Sequence, residues 1–333
     1  MLEQRKHYID RAKLLAMLMV IMVHVSGEMG VRSGDHFSLY TVIMACYMHI
    51  FIVCSGLVCS ARDKSFTELL QDLKKRTMRL LVPFGLFFMI HVWALSRAWT
   101  DAWFSYPKLG AWYLLVLWEC YLLHYLFIIW RKRFRSVSTD ILWGVCLTIA
   151  LKMLYHYLPS KVSAGLSLEG LQVYYPYFFA ALLMHDYHLT EKVLQKKWLI
   201  LVLFFFCIGV FVAKYHFHLP FTSELCTITS TLLLMQMIYL LEHISMSGMK
   251  SIDLLGKDTL AIYLIHFMYL YLLPLGRIHT YIHTYIHTYI HTYIHTAPIR
   301  HCMCEDIVVF FISICIFLVS FWTGKLFKLC VKQ

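Results

Sequence analysis

The chain is a succession of long apolar stretches separated by short polar segments. A helix needs about 20 apolar residues to cross a bilayer, and ten stretches come close to that length. They lie at 13–30, 40–60, 80–98, 110–130, 139–158, 171–187, 198–217, 223–243, 258–276 and 305–327. This pattern predicts an all-α fold, a polytopic membrane helix bundle of about ten transmembrane helices, in a single domain that covers residues 1–333.

Composition supports the same prediction. Of the 333 residues 60% are hydrophobic and 15% are charged, with a mean hydropathy of +0.65. Soluble domains are about 45–50% apolar and about 25% charged. The apolar stretches leave no room for a sizeable soluble domain. The eleven cysteines are scattered through apolar runs, where cysteine behaves as a small hydrophobic residue.

The net charge of +11 taken alone suggests a nucleic-acid partner. The positions of the basic residues along the chain favour a membrane protein instead. With the N-terminus in the cytoplasm, the predicted inner segments hold 22 Lys and Arg residues and the outer segments hold six. Basic residues accumulate on the cytoplasmic side of membrane proteins. The distribution therefore predicts both termini in the cytoplasm, the lipid bilayer as a partner and no nucleic acid. No small-residue cleavage site follows the first stretch, so we expect that span to be retained.

The first apolar stretch carries the strongest functional pattern. The run is uninterrupted from Leu14 to Val23, and then His24 follows. An ionisable side chain within a span is costly and is a functional candidate. Lys13 and His24 are separated by about three helical turns and fall roughly 20° from eclipsed, with His24 about 16 Å deeper. We expect both on one face, aimed into the bundle, while Arg11 falls well away from that face.

Other candidates accompany later spans. Arg76 and Arg79, at i and i+3 in a basic cluster, could hold phosphate or could anchor a helix at anionic lipid. Ser55-Gly56 is typical of close helix packing. Glu119 is a carboxyl at membrane depth, either functional or satisfied by an internal hydrogen bond. His266 ends the run Tyr263-Leu264-Ile265-His266, and further histidines are expected to be mostly structural, namely His49, His91, His124 and His156.

Residues 278–296 form a foreign segment with a repeated Tyr-Ile-His-Thr unit. The nucleotide string TACATACATACA encodes this unit, and a gained or lost tetranucleotide would shift the reading frame. The segment therefore suggests phase-variable expression through its gene. At the protein level, histidines spaced by four could hold a metal on a helix, but we expect a tolerated insert in an extracytoplasmic loop and no metal. These histidines are His279, His283, His287, His291 and His295.

The residues also resemble a known family. The run Ile9-Asp10, then Lys13, ten residues and His24, is similar to the opening motif of the acyltransferase-3 family of bacterial membrane O-acyltransferases. There an arginine precedes the histidine, so Lys13 is a departure. Further similarities follow in the same order, at Phe51 to Leu57, Arg76 to Pro83, Trp112-Tyr113-Leu114 and Gly256 to His266. No hydrolase-like domain is attached, so the chain resembles compact members that acetylate surface glycans.

The resemblance implies transfer of an acyl group from cytoplasmic acetyl-CoA to a hydroxyl of a surface glycan, such as lipopolysaccharide, or of its lipid-linked precursor, in the bacterial inner membrane. His24 would act as general base, assisted by Lys13, because a buried imidazole favours its neutral form. Arg76, Arg79 and Arg11 would hold the phosphates of coenzyme A, and His266 and Ser55 would orient substrate. Glu119 is a further candidate for orienting substrate from its depth in the span alone, because the Trp-Ser-Leu…Glu signature of a larger subgroup of the family is absent here. Two alternatives stay open: a polytopic transporter or flippase for glycan precursors, and a component of a polysaccharide export complex.

Overall fold

The structure, a computed structural model, describes residues 6–30, 39–106, 108–242, 255–256, 258–278, 280–281, 284 and 298–331. Within these ranges the chain is helical and has no strand, which confirms the predicted all-α class. The helices are α1 (His7–Glu28), α2 (Leu39–Leu57), α3 (Phe66–Ala94), α4 (Trp99–Trp103), α5 (Trp112–Arg133), α6 (Val137–Tyr157), α7 (Ser160–Gly165), α8 (Leu168–Asp186), α9 (Leu189–Leu194), α10 (Trp198–Phe217), α11 (Thr222–Glu242), α12 (Thr259–Leu272) and α13 (Pro298–Val331). A 3₁₀ turn, Lys108–Gly110, precedes α5.

Seven of the described helices are long and apolar enough to cross a membrane: α2, α3, α5, α6, α10, α11 and the 306–326 part of α13. The three other predicted spans fall on α1, α8 and α12. Of these, α12 has only 14 residues, which is less than the roughly 20 that a straight crossing needs. The membrane bundle is therefore confirmed, whereas the count of ten and the cytoplasmic termini stay predictions.

The third predicted span is part of a longer helix than expected. The apolar pattern places its start near residue 80, but α3 begins at Phe66. Ser65 and Glu68 form a capping box there, with each side chain bonded to the backbone N–H of the other residue. Such a cap satisfies the unpaired N–H groups of the first turn. A polar helical extension therefore precedes the apolar part of α3 and carries the basic cluster.

The chain forms two compact units, Met1–Phe51 with Val193–Gln333, and Ile52–Lys192. The first unit contains α1, most of α2 and α10 to α13. The second contains the end of α2 and α3 to α9. The single membrane domain predicted from sequence is not tested by this division and stays a prediction.

In the first unit, α1 contacts α11, α12 and α13, while α10 lies along α11. Buried residues of α1 such as Ala12 and Ala16 let the neighbouring helices approach closely. Gly256, just before α12, lies against the backbone of α1, where an added Cβ would stand 2.5 Å from the carbonyl oxygen of Asp10. Only glycine fits that position without a shift of backbone, so the path into α12 depends on it.

In the second unit, α5 is the central helix and contacts α3 and α8, while α6 also contacts α8. Gly56 of α2 meets α8 so closely that an added Cβ would stand 2.3 Å from the carbonyl oxygen of Phe178. The structure thus shows at Gly56 the close helix packing that the sequence pattern is typical of. In contrast, α6 exposes apolar side chains such as Ile141 and Val145, as expected for a helix facing lipid.

Candidate active site

The first unit brings two of the predicted site residues together. His24 of α1 and His266 of α12 lie with ring centroids 5.6 Å apart. Phe267 completes the group, at 4.7 Å from the His24 ring and 4.3 Å from the His266 ring. The group forms because α1 and α12 are in contact along this face. Two imidazoles and a phenyl ring therefore meet within predicted membrane spans.

The two histidines differ in their surroundings. His266 is fully buried, and its Nδ1 lies 3.2 Å from the carbonyl oxygen of Ile262. A carbonyl oxygen only accepts, so this contact places the proton of a neutral His266 on Nδ1. His24 is half-buried, and within the described part of the chain its ring nitrogens have no hydrogen-bond partner. A ring nitrogen of His24 is therefore available to a substrate.

Lys13 and Arg11 lie near the start of α1, and both are half-buried. The helix is continuous from His7 to Glu28, so Lys13 and His24 keep the separation of about 16 Å along the axis that an α-helix dictates. The same turn of α1 is where the backbone of Asp10 meets Gly256. The first motif of the sequence and its Gly256–His266 motif therefore belong to one helix pair.

In the second unit, Arg76 lies against α5. Its guanidinium carbon is 3.7 Å from the centroid of the Tyr121 ring, and its Nε donates to the Tyr125 hydroxyl at 3.1 Å. Tyr121 and Tyr125 are four residues apart, on one face of α5. Within the described residues no carboxylate pairs with Arg76. The side chain is held by neutral aromatic groups, so its positive charge is not neutralised.

Ser55 belongs to the same cluster. Its hydroxyl shares a hydrogen bond with the Tyr121 side chain, and Tyr121 also contacts Arg76. Arg79, in contrast, is exposed on α3. The structure therefore brings Ser55 and Arg76 together through Tyr121, and it leaves Arg79 at the surface.

Glu119 lies on α5, with Lys108 as its charged neighbour. Its Oε2 is buried and has no hydrogen-bond partner among the described residues. The sequence leaves open whether an internal hydrogen bond satisfies Glu119. Among the described residues no such bond is seen at Oε2. An unpaired buried carboxyl oxygen costs free energy unless a donor reaches it.

Lys108 is completely buried before α5, and its Nζ donates to the carbonyl oxygens of Trp103 at 2.7 Å and Ala164 at 2.5 Å. Burial lowers the pKa of Lys108 from 10.5 to about 8, and the nearby Glu119 charge only partly opposes this. A neutral amine still has two N–H donors, one for each carbonyl. Lys108 therefore holds together the segments that precede α5 and α8.

The metal hypothesis for the repeat cannot be placed, because all five of its histidines lie outside the described residues. In the part of the chain that is described, no group of three or more His, Cys, Asp or Glu side chains has a metal-binding arrangement.

Several residues of these clusters were missed by the sequence reasoning. Tyr121 and Tyr125 read as ordinary apolar positions of a span, and only their i, i+4 spacing marked a common face. Phe267 directly follows His266 and gave no separate signal. Lys108 is one of the six basic residues of the predicted outer segments, and the pattern gives it no further role. Its segment has three successive residues with positive φ, up to 86° at Gly110. Such a backbone course is not visible in a sequence pattern.

Comparison with known proteins gives one match. A family model described as an acyltransferase domain, of the acyltransferase-3 family, matches residues 6–323, nearly the whole chain. Searches of curated proteins and of solved structures found no significant match. The matched range includes both clusters and all the described apolar helices except the end of α13. The chain therefore belongs to the acyltransferase-3 family, and it is a multi-pass membrane acyltransferase.

Proposed function

We propose that this protein is a membrane O-acetyltransferase that moves an acetyl group from cytoplasmic acetyl-CoA to a hydroxyl of a surface glycan or its lipid-linked precursor. The observation that carries the proposal is the state of His24. Its imidazole lies in a predicted span beside His266 and Phe267, and its ring nitrogens are unpaired within the described residues. A general base needs such a free nitrogen within reach of the hydroxyl that it deprotonates.

His24 accepts the proton of the acceptor hydroxyl, and the oxygen then attacks the carbonyl carbon of the acetyl thioester. The bond to sulfur breaks, and the thiolate of coenzyme A takes the proton that His24 accepted, which returns His24 to its neutral form. His266 is a positioning residue for His24, because the Ile262 carbonyl orients its ring. Lys13, at the start of α1, adds positive charge at the predicted cytoplasmic end, and Arg11 contributes to the same charge.

The donor side of the proposal rests on Arg76. Arg76 has no carboxylate partner in the described part of the chain. Such a guanidinium suits a phosphate of coenzyme A, because its planar fork matches two phosphate oxygens. Tyr121 and Tyr125 hold the side chain in one orientation, so little rotamer entropy is lost when phosphate binds. Arg79 is exposed on the same helix and adds long-range attraction.

The acceptor side of the proposal rests on Glu119 and Ser55. Among the described residues nothing donates to Glu119 Oε2, so this oxygen can accept a sugar hydroxyl, and Ser55 lies beside Tyr121. We assign both to orienting substrate. The repeat at 278–296 would make expression phase-variable through its gene, which suits an enzyme that varies a surface glycan such as lipopolysaccharide. A gene with mixed codons in this tract would contradict that part.

The test uses purified full-length protein, radiolabelled acetyl-CoA and a lipid-linked glycan. Replacing His24→Ala should reduce label transfer by about 100-fold or more, the range that a general base contributes. His156→Ala is the matched control, because His156 is an exposed histidine of another apolar helix, and it should transfer normally. Glycan that is bound or moved by the wild type without any transfer of label would instead favour a flippase or an export component.

A further inference from the structure

The second unit contains a cavity of about 430 Å³ that the proposed mechanism does not use. Its walls come from the segment after α2, the end of α5, the start of α6 and Tyr187 after α8. The distribution of basic residues predicts that these helix ends are cytoplasmic. The volume falls within the roughly 300–1,000 Å³ typical of small-molecule sites.

Asp140 lines the cavity, and one of its carboxylate oxygens has no hydrogen-bond donor among the described residues. The residue is fully buried, its Oδ2 accepts a hydrogen bond from the Tyr187 hydroxyl at 2.7 Å, and the same oxygen forms an ion pair with Arg131 Nε at 3.0 Å. Its Oδ1 is also buried and has no partner among the described residues. A ligand with an N–H or O–H group would satisfy this oxygen and remove the cost of leaving it unpaired.

Arg135 gives the same cavity an affinity for anions. It lines the cavity and pairs with Asp63, and the two side chains are 68% and 53% exposed. Exposed ion pairs contribute only about 0–1 kcal/mol, so a more highly charged anion can replace Asp63. The first turn of α6, at Val137, also borders the cavity, and a helix N-terminus favours negative charge.

Arg131 does not add to this affinity for anions, because two carboxylates already neutralise its charge. It binds Asp140 through Nε and Asp186 through Nη1. Asp186 in turn accepts the backbone N–H of Ala61 at 3.2 Å. Arg131 therefore fixes the cavity wall, and Arg135 is the cation of the lining that a ligand can recruit.

We propose that this cavity binds the adenine nucleotide end of the acyl-CoA donor, an inference that rests on the proposed function. The amino group of adenine donates to Asp140 Oδ1, and a ribose phosphate binds Arg135 at the start of α6. Val137 and the Tyr187 ring flank the base. Inorganic phosphate has no base to lie beside Val137 and the Tyr187 ring, and a neutral sugar lacks the charge that Arg135 requires, whereas a nucleotide has the base, a donor for Asp140 and the charge.

The experiment measures binding of adenosine 3′,5′-bisphosphate to the full-length protein by titration calorimetry. This probe contains the nucleotide end and lacks the reacting thioester. Arg135→Gln should weaken binding roughly tenfold, the loss expected for one charged hydrogen bond. Asp63→Asn removes the competitor of the phosphate and should tighten binding by about threefold.

The decisive result is that the two variants change the bisphosphate affinity in opposite directions, although both break the Arg135–Asp63 ion pair. If the pair only stabilises the fold, both variants will change affinity in the same direction or not at all, and the nucleotide site is overturned. Binding of inorganic phosphate as tightly as the bisphosphate would overturn the recognition of the adenine base, and with it the contact from its amino group to Asp140.

A parallel assay of acetyl transfer by the wild type tests the proposed function separately from the assignment of the cavity. Transfer from acetyl-CoA, with equal bisphosphate affinity in all three proteins, would refute the cavity assignment and leave the proposed function standing. No transfer from acetyl-CoA and no bisphosphate binding would refute the donor class, and the nucleotide site with it.

Discussion

Arg76 lies over the ring of Tyr121, with its guanidinium carbon 3.7 Å from the ring centroid, beside a helix α5 whose side chains are mostly apolar. The contact explains how an unneutralised cation is tolerated in the second unit. A cation over an aromatic face gains about 0.5–2 kcal/mol, and the Tyr125 hydroxyl satisfies Nε. Tyr121 and Tyr125 thus hold the guanidinium by stacking and hydrogen bonding, and no carboxylate among the described residues pairs with it.

Arg76→Lys tests whether this geometry, and not charge alone, holds the donor. Lysine keeps the charge but loses the planar fork and the stacking on Tyr121. We expect the KM for acetyl-CoA to rise about tenfold, with a much smaller change in kcat. Steady-state transfer assays over a range of acetyl-CoA concentrations measure both constants.

Arg79→Lys is the control, since Arg79 is exposed on the same helix and its charge acts only at long range. An unchanged KM in the Arg76→Lys variant would show that charge on α3 is sufficient. An equal rise in KM for the two variants would refute the specific role of Arg76.

Gly56→Ala tests the close approach of α2 and α8. The added methyl would stand 2.3 Å from the Phe178 carbonyl oxygen and 2.9 Å from the Ala181 Cβ, so backbone must move. Overpacking of this kind costs about 1–3 kcal/mol, and we expect a melting temperature several degrees lower in detergent. Gly85→Ala is the control, because an added Cβ at Gly85 meets nothing within 4 Å. A Gly56→Ala variant as stable as the Gly85→Ala variant would contradict the packing.

The sequence predicted the helical class and where each described apolar helix lies, because apolar period and length determine these features. It also predicted His24 and His266 as candidates, since an ionisable group within an apolar run is conspicuous. The start of α3 was misplaced by 14 residues, because the capping box of Ser65 lies in a polar segment that the apolar pattern does not include.

Contacts between distant segments could not be predicted. Nothing in the sequence links Arg131 to Asp140 and Asp186, because these pairs depend on how α5, α6 and α8 meet. Arg131 is one of the 22 basic residues that the sequence places on the cytoplasmic side, and the structure shows it paired with two largely buried carboxylates. The same limit explains Lys108, whose partners Trp103 and Ala164 come from two different segments.

Removing only the positive charge of the Arg131–Asp140 pair should lower the stability of the protein strongly. Asp140 is fully buried, so Arg131→Met leaves an uncompensated carboxylate, a change that costs about 3–5 kcal/mol. Removing both charges with Arg131→Met and Asp140→Leu should recover much of that loss, as judged by thermal melting. A double variant less stable than the single one would mean that Asp140 is needed by its other donor, Tyr187.

Lys108 predicts an unusual dependence of stability on pH. The unfolded chain holds this proton up to about pH 10.5, whereas burial lowers the folded pKa to about 8. Between these values the unfolded state binds more protons, so the free energy of unfolding rises with pH. The contribution of Lys108 grows by about 3 kcal/mol across this window, at 1.36 kcal/mol for each pKa unit.

Other lysines and tyrosines also titrate there, so the measurement compares the wild type with Lys108→Met in detergent, by melting temperature from pH 7.5 to 10.5. We expect Lys108→Met to be less stable throughout, since two carbonyls lose their donor, and its deficit to widen as pH rises. A constant deficit would mean that Lys108 stays charged in the folded protein, with Glu119 as the group that keeps it so.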